Sequence, residues 1–362
     1  MKIATMVRGY LPMPRPKDIL YAPLDLAAAI AEGLAARGHA IDFYAPKGSK
    51  LNGVTIKDMG MRPLVTNADE WTEHLGATKR HVHYRPWLWD NIFVEEMFKR
   101  AAAGDYDALL FHHPELAMPY ARRYPQVKIA SVMHDPLFDW FAETAAMYKA
   151  PNSQLISISD NQRAGRTDLP WGATIYNGID TNIFTPGGGG DYLLYSGRII
   201  PEKNVADAVQ LAIKTDQKLV IAGLLFHVDE PYFNQHVKPF LNDKIKYVGY
   251  VPREELTRYY QNAKALLMPV QWDEPFGMNM AEAMACGTPV LGYKRGAIPE
   301  VVQDGVTGFV VDNFDDLVAA AGNIHTLSRA ACRQRAEQLF SVERMVSGYE
   351  TYLQKRISQP FN

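Results

Sequence analysis

Two carboxylates, Glu274 and Glu282, stand eight positions apart and flank the turn Pro275-Phe276-Gly277. Glu282 lies inside the apolar run Met280–Ala285. Because an ion is costly to bury without a partner, we expect a polar group to contact it. The turn exposes the first amides of a predicted helix, and such amides bind anions. Together these features suit a ligand with both hydroxyls and phosphates, which describes a nucleotide sugar.

Two cations occur earlier in the same half of the chain. Arg198 follows a predicted strand, Asp191–Ser196, and Lys203 stands where the next predicted helix begins. In doubly wound α/β folds ligands bind at the carboxyl ends of strands, so we expect both cations in one crevice. A guanidinium and an ammonium there would neutralise a diphosphate leaving group. The alternative is that both simply pair with Glu202 or another surface carboxylate.

The elements that must position these groups form two strand–helix–strand units. The first has a strand at Lys2–Val7, a helix at Leu24–Arg37 and a strand at Ala40–Tyr44. The second starts with the strand Asp191–Ser196 and continues with a helix at Asn204–Lys214. The remaining predicted elements are the strands Ala108–Phe111, Lys128–Met133, Leu155–Ser159, Lys218–Ala222, Ile245–Val248, Ala265–Met268 and Pro289–Tyr293, and the helices Arg253–Asn262, Met278–Cys286 and Val342–Arg356.

Two separate starts of doubly wound structure predict two Rossmann-like domains, as the length of 362 residues also favours. We place the first at residues 1–186 and the second at 187–341. The run Gly187–Gly190 is interpreted as the hinge between them, since four glycines form flexible backbone. The last helix, within about 342–362, is predicted to fold back onto the first domain.

Composition excludes several classes of protein. The net charge of −2 argues against a nucleic-acid partner and allows at most weak association with a membrane surface. The only cysteines, Cys286 and Cys332, form no metal-like or redox pair, which favours a reducing cytoplasm. No run of about 18 apolar residues predicts a membrane-spanning helix. The expected location is cytoplasmic.

Histidines follow two strands of the first unit. His134 ends the strand Lys128–Met133, and His112-His113 follow Ala108–Phe111, where they would line the acceptor side. A lone histidine at a strand end is usually a structural residue. His81 and His83 lack a clustered third ligand, so no metal site is predicted.

Two further segments of this unit each allow more than one interpretation. Asp105-Tyr106-Asp107 has the letters of a metal-binding motif but precedes a strand, and is interpreted as a solvated loop. The segment Trp71–Arg100 is rich in aromatic and basic residues. It is open to three interpretations: a sugar-stacking wall, a membrane-surface patch, or aromatics packed under a surface helix.

Several short motifs occur in a fixed order along the chain. They are Tyr176–Asp180, Ser196-Gly197-Arg198 with Glu202-Lys203, Val248–Pro252, Glu274–Gly277, Glu282–Val290, Gly296–Glu300 and Asp304–Phe309. With these motifs the chain resembles the retaining GT-B glycosyltransferases of family 4, over most of its second half and thinner stretches of the first. The resemblance implies an α/β fold of GT-B type, in which two Rossmann-like doubly wound domains face each other across a cleft.

The resemblance also implies roles for single residues. Arg198 and Lys203 would hold the nucleotide diphosphate, Glu274 the hydroxyls of the donor sugar, and Glu282 the ribose. His134 would contact the sugar and the reacting centre. The implied donor-binding residues are Arg198, Lys203, Tyr250, Val251, Glu274, Phe276, Gly277, Met278 and Glu282, and the implied catalytic residues are His134, Glu274, Arg198 and Lys203.

One loop departs from the family. Relatives usually carry paired glycines after the first strand, whereas this chain has a long, basic, proline-rich loop at Arg8–Lys17 with the single Gly9. Gly9 is assigned to the acceptor side with His112 and His113. Because this loop differs from that of the family, the resemblance does not predict which acceptor the protein uses.

The expected function is therefore that of a retaining, metal-independent glycosyltransferase without a cofactor. It would move a hexose from a nucleotide diphosphate sugar to an unidentified saccharide, lipid-linked or small-molecule acceptor. A UDP-sugar is favoured on the resemblance alone. Two alternatives stay open because fold does not determine function: a nucleotide-sugar epimerase or phosphorylase, and a non-catalytic nucleotide-sugar-binding subunit. The oligomeric state is not predicted.

Overall fold

A computed structural model describes residues 1–76 and 80–359, without the side chains of residues 75, 76, 80–83 and 254. The chain divides into two compact units. Unit 1 comprises Met1–Gly178 and the C-terminal segment from Val342, and unit 2 comprises Ile179–Ser341. The second unit is thus inserted into the first. Where the chain enters and leaves unit 2, Ile179 and Ser341 form an isolated parallel bridge.

Unit 1 is built on seven parallel strands in the order β3-β2-β1-β4-β5-β6-β7. Its elements are β1 (Lys2–Met6), α1 (Ala22–Ala36), β2 (Ala40–Tyr44), β3 (Thr55–Lys57), α2 (Ala68–Gly76), α3 (Arg80–Ala102), β4 (Ala108–Phe111), α4 (Pro114–Ala121), β5 (Ile129–Val132), α5 (Asp139–Met147), β6 (Ser153–Ser157), α6 (Asn161–Ala164) and β7 (Trp171–Thr174). The strand order reverses between β1 and β4, which makes their carboxyl ends the expected ligand-binding edge.

Unit 2 is built on six parallel strands in the order β10-β9-β8-β11-β12-β13. Its elements are β8 (Tyr192–Ser196), α7 (Val205–Thr215), β9 (Lys218–Ala222), α8 (Glu230–His236), β10 (Ile245–Gly249), α9 (Arg253–Gln261), β11 (Ala263–Met268), α10 (Met278–Ala285), β12 (Val290–Tyr293), α11 (Ile298–Val301), β13 (Gly308–Val311), α12 (Phe314–Gly322) and α13 (Arg329–Phe340). Here the reversal lies between β8 and β11.

Apolar runs explain why the strands form where they do. The strand Leu193–Tyr195 is buried, and α7 packs on it through Val205 and Val209, which lie four positions apart on one helical face. In unit 1, the C-terminal part of α3 buries Phe93, Met97 and similar residues against β1 and β4.

The last helix, α14 (Val342–Ser358), belongs to unit 1 and packs on α1. Val346 lies so close to Gly33 that a Cβ at that glycine would come within 2.5 Å of Val346 Cγ2. Arg37 donates to Glu350 at 2.6 Å, which adds an ion pair to the apolar contact. The predicted return of the C-terminal helix to the first domain agrees with this packing, and residues 360–362 lie outside the described part of the chain.

The predicted boundary and hinge differ from the observed structure. The chain passes between the units after Gly178 rather than after residue 186, so Gly187–Gly190 belongs to unit 2. The Gly187 amide donates to Cys286 O at 3.0 Å, and the Gly189 amide donates to Gln261 O at 2.9 Å. A Cβ at Gly187 would lie 2.4 Å from Gln261 Cβ. The glycines therefore allow close packing against the end of α9, and the hinge interpretation is wrong.

Among the described residues, no helix combines the length and the apolarity needed to cross a membrane.

Candidate functional site

The motif residues of unit 2 lie where its sheet reverses direction. Arg198 follows β8, and a short 3-10 helix, Pro201–Lys203, leads from there to α7. Glu274 and the N-terminus of α10 follow β11, the neighbour of β8. Two hydrogen bonds join these loops. Asn279 Nδ2 donates to Ser196 O at 2.6 Å, and the Gln271 amide donates to Glu202 O at 2.8 Å. The topology therefore brings both cations and Glu274 to one edge of the sheet.

Lys203 and Glu274 contact each other directly. The Lys203 ammonium donates to the Glu274 carboxylate and lies 4.6 Å from the centroid of the Trp272 ring. Trp272 Nε1 donates to the same carboxylate oxygen of Glu274 at 2.9 Å. Since an ammonium has three N–H donors, Lys203 can keep this bond and still donate to a phosphate. The sequence analysis assigned both residues to a ligand and did not predict their pairing.

Two glycines determine the position of Glu274. A Cβ at Gly296 would lie 2.2 Å from the Glu274 amide nitrogen, so the turn after β12 packs directly on that backbone. The Ala297 amide donates to Glu274 O at 2.8 Å. Gly277 has a φ of +78°, and a Cβ there would lie 2.6 Å from Met280 Cε. Only glycine adopts this left-handed conformation without strain.

The N-terminus of α10 presents backbone donors beside this ion pair. The amides of Gly277, Met278 and Asn279 donate to no acceptor within residues 1–76 and 80–359. No side chain in those ranges caps the helix. The first amides of a helix carry a partial positive charge and attract anions. Phe276 anchors the turn, because its ring is buried at an edge-on angle to Phe340. Gly277 and Met278 are therefore placed beside Glu274, as the motif predicts.

Arg198 is exposed, and its guanidinium makes no hydrogen bond or ion pair with the residues that the structure describes. Its backbone is held instead, since Tyr195 Oη donates to Arg198 O at 2.9 Å. The alternative that the two cations pair with Glu202 is therefore wrong: Lys203 pairs with the buried Glu274, and Arg198 stays available.

Glu282 has protein partners on both of its oxygens. Arg253 Nε donates to Oε1 at 3.1 Å and Tyr260 Oη donates to Oε2 at 3.1 Å. Burial, together with the charge of Glu282, raises the pKa of Tyr260 well above its ordinary value, so this phenol stays a donor. The polar group expected beside Glu282 is thus supplied by α9 rather than by a ligand. A carboxylate accepts about four hydrogen bonds, which leaves capacity for ribose hydroxyls.

Tyr250 and Val251 are half-buried and lie between β10 and α9, at the same edge of the sheet. Gly249 before them has a φ of +75°, and its carbonyl accepts the Gly223 amide at 2.8 Å. This bond links the end of β10 to the end of β9. The pair lies two strands from β8 in the sheet order.

In unit 1, two of the predicted histidines come together. His112 follows β4 and His134 follows β5, and their Nδ1 and Nε2 atoms are 3.0 Å apart. The rings are nearly parallel, with centroids 5.3 Å apart. Burial lowers the pKa of His112 to about 3 and lowers that of His134 well below its ordinary value, so both rings are neutral. His112 Nε2 and His134 Nδ1 are buried without a hydrogen-bond partner among the described residues.

This pairing constrains the protonation of the two rings. Each neutral ring carries one proton, and one ring must donate to the other at the shared contact. If His112 donates, its outer Nε2 is an acceptor and His134 Nδ1 is a donor. If His134 donates, both outer atoms change roles. Of the two outer nitrogens, His112 Nε2 and His134 Nδ1, one is therefore always a donor and the other an acceptor.

His113 belongs to a separate network around Arg8. Arg8 donates to Asp90 at 3.2 Å and to Glu115 at 2.7 Å, and it contacts His113 Nδ1 at 3.0 Å. Burial raises the pKa of Asp90 to about 6, against the opposing effect of Arg8. The Gly9 amide donates to Asp90 at 2.6 Å. The basic loop after β1 is therefore tied to α3 and α4.

The sequence analysis did not identify Arg8, Asp90 or Glu115 as a functional group. A charged Asp90 within the aromatic segment of α3 was the signal available, because a carboxylate in such a setting requires a partner. Gly9 has a packing reason to be glycine, since a Cβ there would lie 2.3 Å from Phe93 Cδ2.

Within the described part of the chain, no three His, Cys, Asp or Glu side chains form a group that could hold a metal ion. The side chains of His81 and His83 lie outside it. Asp105 pairs with Arg100 at 2.8 Å, and Asp107 accepts the Lys2 amide at 2.7 Å. Both carboxylates thus have structural partners, in agreement with the interpretation of this segment as a loop.

Comparison with known proteins places this arrangement in a family. Residues 181–338 match the family model described as glycosyl transferases group 1. Unit 2 thus carries a group 1 glycosyltransferase domain. The matched residues make up nearly all of unit 2, which carries the cations, Glu274 and Glu282.

Curated relatives of this chain share part of its length. It is 36% identical over 114 residues to an uncharacterised 41.2 kDa protein of the cps region of Klebsiella pneumoniae, covering 30% of this chain and 31% of that protein. It is 25% identical over 343 residues to the D-inositol 3-phosphate glycosyltransferase of Thermobifida fusca, covering 79% of this chain and 76% of that enzyme.

Solved structures show that this chain has the GT-B fold predicted from its motifs. The sucrose-phosphate synthase of Thermosynechococcus elongatus matches with a TM-score of 0.75 at 18% identity, covering 98% of this chain and 99% of that one. Anabaena HepE, solved with UDP, matches with a TM-score of 0.72 at 16% identity, covering 98% and 100%.

Proposed function

We propose that this group 1 glycosyltransferase transfers a hexose from a nucleotide diphosphate sugar, with retention of anomeric configuration and without a metal ion. The observation that carries the proposal is a cluster of donors at the switch point of unit 2: the Arg198 guanidinium and the first amides of α10, which have no partner among the described residues, and the Lys203 ammonium. These are three kinds of donor for one diphosphate, and a carboxylate for sugar hydroxyls lies beside them.

In the proposed complex Arg198 binds phosphate oxygens through its planar fork. Lys203 donates to the diphosphate with the N–H groups that Glu274 does not use. The amides of Gly277 and Met278 add hydrogen bonds and the partial charge of the α10 terminus. Glu274, oriented by Lys203, accepts hydrogen bonds from hydroxyls of the donor sugar.

The reaction breaks the bond between the anomeric carbon and the phosphate oxygen, and the electron pair leaves with the diphosphate. Arg198, Lys203 and the α10 amides stabilise the negative charge that develops there, which is where fixed donors have the largest effect on rate. The acceptor hydroxyl forms the new bond on the face from which the diphosphate departs, so configuration is retained. A phosphate oxygen of the leaving group takes the hydroxyl proton.

His134 of unit 1 is proposed to contact the transferred sugar and to hold its position. Its ring is neutral, so it acts through hydrogen bonding rather than through charge. The hydrogen bond between His112 and His134 fixes the orientation of the His134 ring. Gly9, His112 and His113 are the proposed acceptor-side residues.

UDP is the proposed nucleotide. The support is that HepE, which shares the fold, was solved with UDP and also with UDP-glucose. In this chain Glu282 is proposed to bind the ribose hydroxyls with its remaining acceptor capacity, and Tyr250 and Val251 are proposed to contact the base.

A ligand panel with the full-length protein tests the donor. UDP, GDP and ADP and their hexose conjugates are added with excess EDTA, and the melting temperature is measured. We expect one nucleotide class to raise it, since a ligand that binds only the folded state stabilises by RT ln(1 + [L]/Kd). A strict requirement for Mg²⁺ or Mn²⁺ would contradict the metal-independent mechanism.

Product analysis tests the reaction type. With the stabilising sugar nucleotide and a panel of glycosides as acceptors, the anomeric proton of the product is examined by NMR. An anomer identical to that of the donor supports retention, and the opposite anomer contradicts it. An epimerised donor that forms in the absence of any acceptor would instead identify an isomerase.

A further inference from the structure

A concave site lies between α3 and α4 of unit 1. Its volume is about 340 Å³, within the range of about 300–1,000 Å³ found for small-ligand sites. Residues from both helices and from the turn after α4 line it, among them Trp87, Asn91, Glu115, Tyr120 and Arg123.

Trp87 is an exposed aromatic group of this site. It is 58% exposed, although large aromatic side chains are usually well buried in a folded protein. No ring stacking or cation contact involves Trp87 in the described parts of the chain. Its indole therefore offers an open apolar face with a polar N–H at the edge.

Groups with defined hydrogen-bonding roles surround the indole. Asn91 Nδ2 donates to Trp87 O at 2.7 Å, and Asn91 Oδ1 accepts the Tyr120 hydroxyl at 3.2 Å. These bonds fix the orientation of the amide. Arg123 adds an exposed cation to the lining.

Glu115 connects this site to the Arg8 network. It accepts from Arg8 at 2.7 Å and also lines the cavity. Although burial opposes ionisation, the interactions with His113 and with the Arg8 guanidinium lower the pKa of Glu115, so it is a carboxylate at neutral pH. Because its two oxygens accept about four hydrogen bonds in total, it can bind hydroxyls as well as Arg8.

We propose that this cavity binds a saccharide ring of the acceptor, which is thus a glycan or glycoside. An apolar face flanked by an amide, a carboxylate and a guanidinium matches a hexose, which has C–H groups on its faces and hydroxyls at its rim. This inference rests on the proposed function for the identity of the ligand as an acceptor. Glu115 joins the cavity to the Arg8 network, which also contains His113 and Gly9, the proposed acceptor-side residues.

A lipid surface is the competing occupant, since Tyr84 and Leu88 are also exposed on α3. The lining argues against it, because Glu115 and Asn91 would lose hydrogen bonds to water on contact with hydrocarbon.

Saturation-transfer difference NMR on the full-length protein tests the proposal, with methyl glycosides of glucose, galactose and mannose as probes. A glycoside bound at the donor-sugar position is recognised by its insensitivity to Trp87→Ala, since Trp87 lines only the cavity between α3 and α4. We expect at least one glycoside to bind wild-type protein, and Trp87→Ala to weaken it at least about tenfold, as for the loss of a central aromatic anchor. Trp87→Phe should retain part of the affinity.

Trp140→Ala is the matched control, since Trp140 is an exposed tryptophan (63%) elsewhere in unit 1. It should leave glycoside binding unchanged. The proposal is overturned if no glycoside binds wild-type protein, if both variants behave alike, or if Trp87→Ala reduces only binding to phosphatidylglycerol vesicles. UDP binding, followed separately by melting temperature, reports on the proposed function. Glycoside binding without UDP binding would support this site while contradicting the donor assignment.

Discussion

Arg198→Ala should weaken nucleotide binding while leaving the stability of the unliganded protein unchanged. The guanidinium is exposed and makes no hydrogen bond or ion pair with the described residues, so its removal breaks neither kind of contact among them. Surface substitutions of this kind change the unfolding free energy by less than about 0.5 kcal/mol. For a unit the size of Ile179–Ser341 this corresponds to at most about 2 °C in melting temperature.

The expected effect on binding is much larger. A hydrogen bond between charged groups contributes about 1.5–3 kcal/mol, so the Kd for UDP should rise about 10- to 150-fold. At a UDP concentration of about 100 times the wild-type Kd, the ligand stabilises wild-type protein by about 2.7 kcal/mol. A Kd raised about 30-fold would reduce that stabilisation to about 0.9 kcal/mol.

The assay is a melting-temperature titration with UDP, confirmed by calorimetric measurement of Kd. Lys218→Ala is the control, because Lys218 is an exposed cation at the opposite, amino-terminal edge of the same sheet. It should bind UDP like wild type. If Arg198→Ala binds UDP normally, or if it melts well below wild type without ligand, the assignment of Arg198 to the diphosphate is refuted.

Three further outcomes are expected. Lys203→Met should lower the unfolding free energy, measured by urea denaturation, by about 2–3 kcal/mol, because it leaves the buried Glu274 carboxylate without its cation. Lys203 is partly exposed, so the cost stays below that of breaking a fully buried ion pair. Gly277→Ala should cost about 1–2 kcal/mol, since its φ is +78°, and unchanged stability would contradict the observed turn. His112 and His134 should stay neutral by histidine-selective NMR down to pH 5. Because their pKa values are lower in the folded than in the unfolded chain, acidification from pH 6.5 to 5 should cost about 1–2 kcal/mol for each, and titration near pH 6.5 would contradict their burial.

Much of the geometry of the proposed donor site could be predicted from the sequence because it depends on local order. Arg198 and Glu274 each follow an apolar run that reads as a strand, and the carboxyl ends of parallel strands share one edge. What could not be predicted is the pairing of Lys203 with Glu274. These residues are 71 positions apart, and their contact depends on how two loops pack.

The partners of Glu282 also could not be predicted from the sequence, although the need for a partner could. Its setting in an apolar helix correctly indicated that it needs a polar partner. Arg253 and Tyr260 provide it from α9, which precedes α10 in the chain and packs beside it. Helix packing of this kind is a tertiary property, so periodicity alone did not reveal the partners.

Glycine-rich segments were the least predictable. Gly187–Gly190 was interpreted as a hinge because glycine is conformationally permissive. The structure uses its lack of a side chain instead, since a Cβ at Gly190 would lie 2.2 Å from Asn262 O. In unit 1 the Arg8 network was missed for a related reason: Arg8 and Asp90 are 82 positions apart, and only the fold brings them together.

The adjacency of Ile179 and Ser341 gives this protein a modular architecture. Residues 179–341 form a cassette whose two ends lie side by side, so a gene fragment encoding only that cassette should yield a folded module. A short linker from Gly178 to Val342 would close the remaining host domain. Under the proposed function, exchange of cassettes between homologues should change donor preference without changing acceptor preference.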